Sequence, residues 1–130
     1  MTTMMERTQN LRFVEPLPGF ADEDAYTLSA IDPHAVLYSL RSVRTPGLRF
    51  VLTPANTFFA DYRPDVAEAV APVLGASDVE LYLVLTLGTG LRDATANLRA
   101  PIAVSVSTGR AVQVVLEDEA LPMREPLVRG

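Results

Sequence analysis

The sequence contains no cysteine, no lysine and a single histidine. Without cysteine there is no disulfide, no thiolate zinc site and no cysteine nucleophile. A lone histidine, His34, rules out a multi-histidine metal site and a histidine relay. No metal and no cofactor is therefore expected. Long apolar runs are missing as well. The longest, around Leu81 to Leu87, is far short of the roughly 20 residues that a membrane helix needs. Met1-Thr2-Thr3-Met4-Met5-Glu6-Arg7 lacks the apolar core of a signal peptide, so a cytoplasmic address away from membranes is expected. All 11 basic residues are arginine. A GC-rich coding bias accounts for that without any special need for guanidinium forks.

What is present suits one domain. A chain of 130 residues buries roughly two thirds of its unfolded surface and needs no covalent staples. Its net charge is −5 and its pI is near 4.7. An acidic surface repels phosphate backbones, which disfavours direct nucleic-acid binding. It favours a basic partner instead, because complementary fields speed encounter.

Alternation of apolar and other residues dominates the chain. Val79, Leu81, Leu83, Leu85 and Leu87 would line one strand face, with Glu80, Tyr82, Val84 and Thr86 on the other. The same period runs through Val36-Tyr38-Leu40, Leu48-Phe50-Leu52, Ile102-Val104-Val106 and Val112-Val114-Leu116. Short strands with turn signals between them describe an all-β fold, a small antiparallel barrel or sandwich. Thr108-Gly109 should close a hairpin, and Asp32-Pro33 and Thr45-Pro46-Gly47 mark further turns. Pro101 cannot donate to a ladder and reads as a corner where the chain changes sheet.

One short helix is expected, with Pro64 at its first position and Val66, Val70 and Val73 or Leu74 at helical spacing. Pro72 should end or kink it, and Gly75 closes it. Residues 1–10 are expected to fray, residues 11–127 to form the domain, and residues 128–130 to be a tail.

No group between Ala94 and Leu127 is poised for bond-making. His34 sits in a turn, and neither Ser39 nor Ser42 lies on a strand-to-helix elbow, so a catalytic triad is not expected. The remaining candidates are contact residues, each with a structural alternative. Phe58, Phe59 and Tyr62 are aromatics close together before the helix, suited to the core or to a partner. Period two sends Phe58 and Tyr62 one way and Phe59 the other. Asp61 suits a helix cap or an interface. Asn97 and Arg99 share a strand face with Thr95, opposite Ala96, Leu98 and Ala100, with Arg99 a possible fork to a carboxylate. Glu117, Asp118 and Glu119 form either a solvated strand end or an acidic contact for a basic partner. Phe20, in Leu17-Pro18-Gly19-Phe20, either plugs one end of the core or anchors a partner.

Four segments carry a family resemblance. They are Phe13-Val14-Glu15-Pro16-Leu17-Pro18-Gly19-Phe20; Leu40-Arg41-Ser42 through Phe50-Val51 to Pro54, Phe58-Phe59-Ala60-Asp61-Tyr62 and Pro64; Thr95-Ala96-Asn97-Leu98-Arg99-Ala100-Pro101-Ile102; and Gln113-Val114-Val115-Leu116-Glu117-Asp118 with Leu121-Pro122 and Arg124-Glu125-Pro126-Leu127. In this order they resemble FliW, the bacterial flagellar assembly factor family. Pro16 stands where that family has glycine, and its usual amino-terminal strand pair is not recognisable before Leu11. The resemblance implies a cytoplasmic, non-catalytic protein. It implies binding to CsrA, an RNA-binding translational repressor of flagellin synthesis, and to flagellin itself. The sequence leaves the oligomeric state open, and a monomer is the default expectation for the free chain. The competing reading is a small barrel enzyme or ligand-binding module that uses an internal cavity. A third is a structural subunit with a large hydrophobic self-interface.

Overall fold

The computed structural model describes residues 8–62, 64–76 and 78–127. The expectations for residues 1–7 and for the tail 128–130 lie outside these. The elements run β1 (Thr8–Phe13), β2 (Ala25–Ala30), β3 (Tyr38–Ser42), β4 (Arg49–Pro54), α1 (Ala55–Phe58), α2 (Ala67–Leu74), β5 (Val79–Thr86), a 3-10 turn at Leu91–Asp93, β6 (Thr95–Ala96), β7 (Ile102–Ser105), β8 (Arg110–Gln113) and β9 (Glu125–Pro126). Seven strands close into a barrel in the order β4-β3-β2-β1-β8-β7-β5, and β5 pairs back to β4. All these pairs are antiparallel except β1 with β8, which is parallel. The short strand β6 continues along the β5 edge beyond β7, and β9 pairs with β6.

Every barrel strand sends side chains into one interior cluster. Leu11, Phe13, Tyr26, Leu28, Leu40, Leu52, Tyr82, Ile102, Val104 and Ala111 fill it. Phe13 meets Tyr26 edge-on at 5.2 Å, and Tyr38 meets Tyr82 at 5.4 Å. Phe20 packs edge-on against Phe50 at 5.4 Å and caps one mouth of this core, with Leu17 buried beside it. The interior is thus packed with side chains.

On β5 both faces are apolar, and the structure assigns them. Tyr82 and Val84 point into the barrel. Leu81, Leu83 and Leu85 point outward, where they are covered by Ala55, Phe58, Phe59, Tyr62, Leu98, Leu121 and Leu127. Helix α2 covers the neighbouring outer patch, with Val70 and Leu74 packed near Ala103 and Val112. Thr108 ties the helix down by donating its hydroxyl to the Leu74 carbonyl at 2.8 Å.

Several expectations are corrected. Strand β1 begins at Thr8, within the stretch expected to fray, because its backbone pairs with β2 and its Gln9 amide donates to the Val106 carbonyl. This same strand closes the barrel against β8 through Arg12 and Phe13. β2 lies outside the expected strands, although Tyr26 and Leu28 alternate into the core. Among the described residues there are two short α-helices, where one was expected. Helix α2 starts at Ala67, not Pro64, because the Val66 N–H turns back to the Pro64 carbonyl in a tight turn that a helical ladder cannot contain. Pro72 lies inside this helix. Gly75 ends it in the left-handed region, its N–H bonded to the Ala71 carbonyl at 2.9 Å. Pro101 marks no change of sheet, since β6 and β7 share one β5 edge.

Loop carboxylates fasten the barrel ends. Glu23 is held well below the usual glutamate range by hydroxyls donated from Ser42 and Thr45. Asp32, Asp78 and Asp93 are lowered likewise, chiefly by the Leu37 N–H, the Ser105 hydroxyl and the Thr89 N–H respectively. Folding therefore favours the ionised form of all four. Their stabilisation is complete above the unfolded carboxylate pKa of about 4 and is lost as pH falls below it. Urea midpoints should be flat from neutral pH down to that range and then drop, with a shallower acid limb in Glu23→Gln. The Thr108-Gly109 turn makes a separate prediction. Gly109 has φ +75°, and a Cβ there would lie 3.2 Å from the Asn10 carbonyl. Gly109→Ala should cost about 1–2 kcal/mol, read as a lower urea midpoint at unchanged m-value.

Candidate protein-binding surface

Between β6 and β7 the chain departs from the β5 edge over residues 97–101. The Asn97 N–H still reaches the Val84 carbonyl at 3.0 Å, and pairing resumes at Ile102 with Tyr82. Five residues thus stand opposite the two, Leu83 and Val84, that lie between Leu85 and Tyr82, an enlarged β-bulge. Asn97 shapes it. Its side-chain oxygen accepts the N–H groups of Arg99 at 3.0 Å and Ala100 at 3.2 Å. The simple alternation expected through Thr95, Asn97 and Arg99 therefore breaks after Ala96. Arg99 does fork, but to backbone: its Nε donates to the Leu121 carbonyl at 3.2 Å and its Nη2 to the Glu119 carbonyl at 2.7 Å. The carboxylate expected for it is replaced by main-chain carbonyls because the carboxy-terminal segment wraps the bulge. The Leu116 N–H binds the Arg99 carbonyl at 2.7 Å, and the Leu98 N–H binds the Pro122 carbonyl at 3.0 Å.

The aromatic loop joins from the other side. Tyr62 is buried and donates its hydroxyl to the Leu98 carbonyl at 2.6 Å. Burial pushes that hydroxyl up to about 12. Phe58 and Phe59 are half-buried in the same outer cluster as Tyr62. They do not diverge as period two requires, because Phe58 ends helix α1 and the Tyr62 N–H turns back to the Phe59 carbonyl. Asp61 is exposed and caps no helix, since α2 begins at Ala67 with no side-chain cap.

These two segments make a groove. Asp61, Tyr62, Pro64 and Asp65 form one wall and Leu116, Glu117, Asp118 and Leu121 the other, around a volume of about 400 Å³. Its floor is apolar and its rim is acidic. Asp61, Glu117 and Asp118 thus meet in space, although more than 50 residues separate Asp61 from Glu117. Among the described residues none of Asp61, Asp65, Glu117, Asp118 and Glu119 makes an ion pair. Glu119 is exposed beside the groove, its carbonyl held by Arg99. Asp65 belongs to the rim and was not among the expected contacts. Its signal was its spacing from Asp61, masked by reading Pro64 as the start of a helix.

Asn97 and Arg99 lie instead beside a second, apolar basin of about 360 Å³ at the barrel mouth, lined also by Leu17, Phe20, Phe50, Val84, Val115 and Met123. His34 is exposed in the Asp32 turn, its N–H bound by the Asp32 carboxylate at 3.1 Å. Ser39 is buried on β3, and Ser42 is held by Glu23. Among the described residues there is no cluster of three or more potential metal ligands and no helix long and apolar enough to cross a membrane.

A family model described as FliW protein matches residues 2–127. The chain belongs to the FliW family. It is 30% identical over 126 residues to the flagellar assembly factor FliW of Bacillus subtilis, covering 95% of this chain and 88% of that protein. It is 32% identical over 119 residues to the FliW of Bacillus pumilus, covering 89% and 83%. A crystal structure of the flagellar assembly factor FliW superposes with a TM-score of 0.83 at 31% identity, covering 94% of this chain and 87% of that one. The FliW relatives are flagellar assembly factors, and the solved FliW structure shares the barrel described above.

The Tyr62 hydroxyl stitches the aromatic loop to the bulge, so Tyr62→Phe leaves a buried Leu98 carbonyl unpaired. A loss of about 1–3 kcal/mol is expected in urea unfolding.

Proposed function

We propose that this FliW family member is a stoichiometric binding protein that engages CsrA and flagellin in the cytoplasm and acts as a monomer when free. Binding to CsrA would relieve repression of flagellin synthesis, and binding to flagellin would couple that synthesis to filament assembly. The observation that carries this reading is the groove rimmed by Asp61, Asp65, Glu117 and Asp118, none of which makes an ion pair among the described residues. Its apolar floor offers burial, and its rim offers a field for the basic surface expected of an RNA-binding protein. A packed barrel interior weighs against the alternative of a ligand-binding module with an internal cavity.

Co-purification with CsrA and with flagellin from the same organism tests the reading. Complexes stable at micromolar concentration are expected, and no complex with either partner would overturn it. Replacing Glu117, Asp118 and Glu119 together with Ser should slow CsrA association and flatten its salt dependence. Unchanged kinetics would remove the acidic turn from the contact.

A further inference from the structure

The segment that follows β8 presents two different faces. Leu116 lines the acidic groove, whereas Val115 lines the apolar basin at the barrel mouth. The backbone alternates in the same way. The Val114 N–H binds the Pro101 carbonyl at 2.9 Å, and the Leu116 N–H binds the Arg99 carbonyl at 2.7 Å. Strand geometry then turns the N–H and C=O of Val115 to the opposite side. On that side β1 has ended: its last bond to β8 is from the Val14 N–H to the Ala111 carbonyl. Among the described residues neither backbone group of Val115 has a hydrogen-bond partner. Val115 is 68% exposed, and Met123 across the basin is 58% exposed.

An open edge beside an apolar surface is a template for another strand, and folded proteins usually blunt such edges with charge, proline or a covering loop. None of these covers Val115. The basin next to it has little free polar capacity. The Asn97 side-chain oxygen is occupied by two N–H groups, the Arg99 Nε and Nη2 by carbonyls, and the Gln113 amide by the Ala100 carbonyl at 3.1 Å. A small polar ligand would find few partners here. A peptide backbone would find the Val115 edge, and its apolar side chains would find Leu17, Phe20, Phe50 and Val84. Charge narrows the occupant further, because the exposed Glu117, Asp118 and Glu119 follow directly along the same segment.

We propose that the Val115 edge and the adjoining basin form a strand-addition site. Its occupant is an extended segment of a partner protein with apolar side chains at alternate positions and an arginine or lysine where it passes Glu117. This site adjoins the acidic groove and shares Glu117 with it, but its apolar basin and open backbone edge lie outside that groove.

The probe is the synthetic heptapeptide acetyl-Arg-Val-Thr-Leu-Thr-Val-Arg-amide, basic at both ends so that either strand direction is served. Binding is expected to saturate and to slow hydrogen exchange at the Val115 amide by about tenfold or more. Versions N-methylated on alternate residues, in both phases, keep the side chains but lose the backbone donors on one side. The phase that blocks the paired side should bind at least about tenfold more weakly. Exchanging both arginines for glutamate should weaken binding by a similar factor. Val115→Pro should abolish binding at an unchanged urea midpoint. Met123→Glu, which leaves the backbone intact at an exposed position, should weaken it as well. The proposal is overturned by an unprotected Val115 amide at saturating peptide, by equal binding of both N-methylated versions, or by no binding at millimolar peptide. A concentration-dependent dimer that Val115→Pro dissolves would overturn it too, because the edge would then belong to a second copy of this chain.

Discussion

The bulge at residues 97–101 is the constraint on which the outer half of the structure depends. A regular strand would hand all its inner-edge groups to β5 and leave nothing for the rest of the chain. By stepping away from β5, the bulge frees the carbonyls of Leu98, Arg99, Ala100 and Pro101. These then receive the Tyr62 hydroxyl, the Leu116 N–H, the Gln113 amide and the Val114 N–H. One irregular loop therefore anchors the aromatic loop, the continuation of β8 and the wrapped carboxy-terminal segment. The local device that holds the bulge is a single side chain, Asn97, satisfying the N–H groups of Arg99 and Ala100.

The barrel beneath depends on closure. The pairing of β1 with β8 is the one parallel contact among the seven strands, and without it the sheet would have two free edges. The parallel pair ends early, since the bonds recorded for β1 reach β8 only as far as Ala111. The same topology that seals the barrel thus leaves Val115 beyond its end with an open backbone. Sealing and exposure have one cause, the difference in length between two paired segments.

Much of the scaffold was legible because the relevant signals are local. Alternation in Val79–Leu85, the Thr108-Gly109 turn and the Asp32-Pro33 turn each involve neighbours in the chain, and each appears where that pattern puts it. The candidate contacts were less legible. Asp61, Tyr62, Glu117 and Asp118 were recognised as residue types suited to a surface, but their meeting in one groove is a long-range event. The local geometry of Asn97 and Arg99 is not legible in the sequence, because a bulge has no period and an arginine fork donates to carbonyls as readily as to carboxylates. Asp65 was hidden by Pro64, whose helix-starting preference is real but was overridden by the tight turn at Val66.

By itself the sequence determined the class of molecule: a cysteine-free, acidic, strand-rich chain of the FliW family, with its turns at glycine and proline. Tertiary structure alone decided which face of β5 is interior. Both faces are apolar, and the choice rests on what covers each one: the other barrel strands on the Tyr82 side, the helices and the carboxy-terminal segment on the Leu83 side. It also decided that an acidic rim forms at all. Carboxylates repel, and nothing in their local sequence draws Asp61 towards Glu117. They are brought together by hydrogen bonds to main-chain carbonyls beneath them, above all the bond from Tyr62 to Leu98 and the grip of Arg99 on the carbonyls of Glu119 and Leu121.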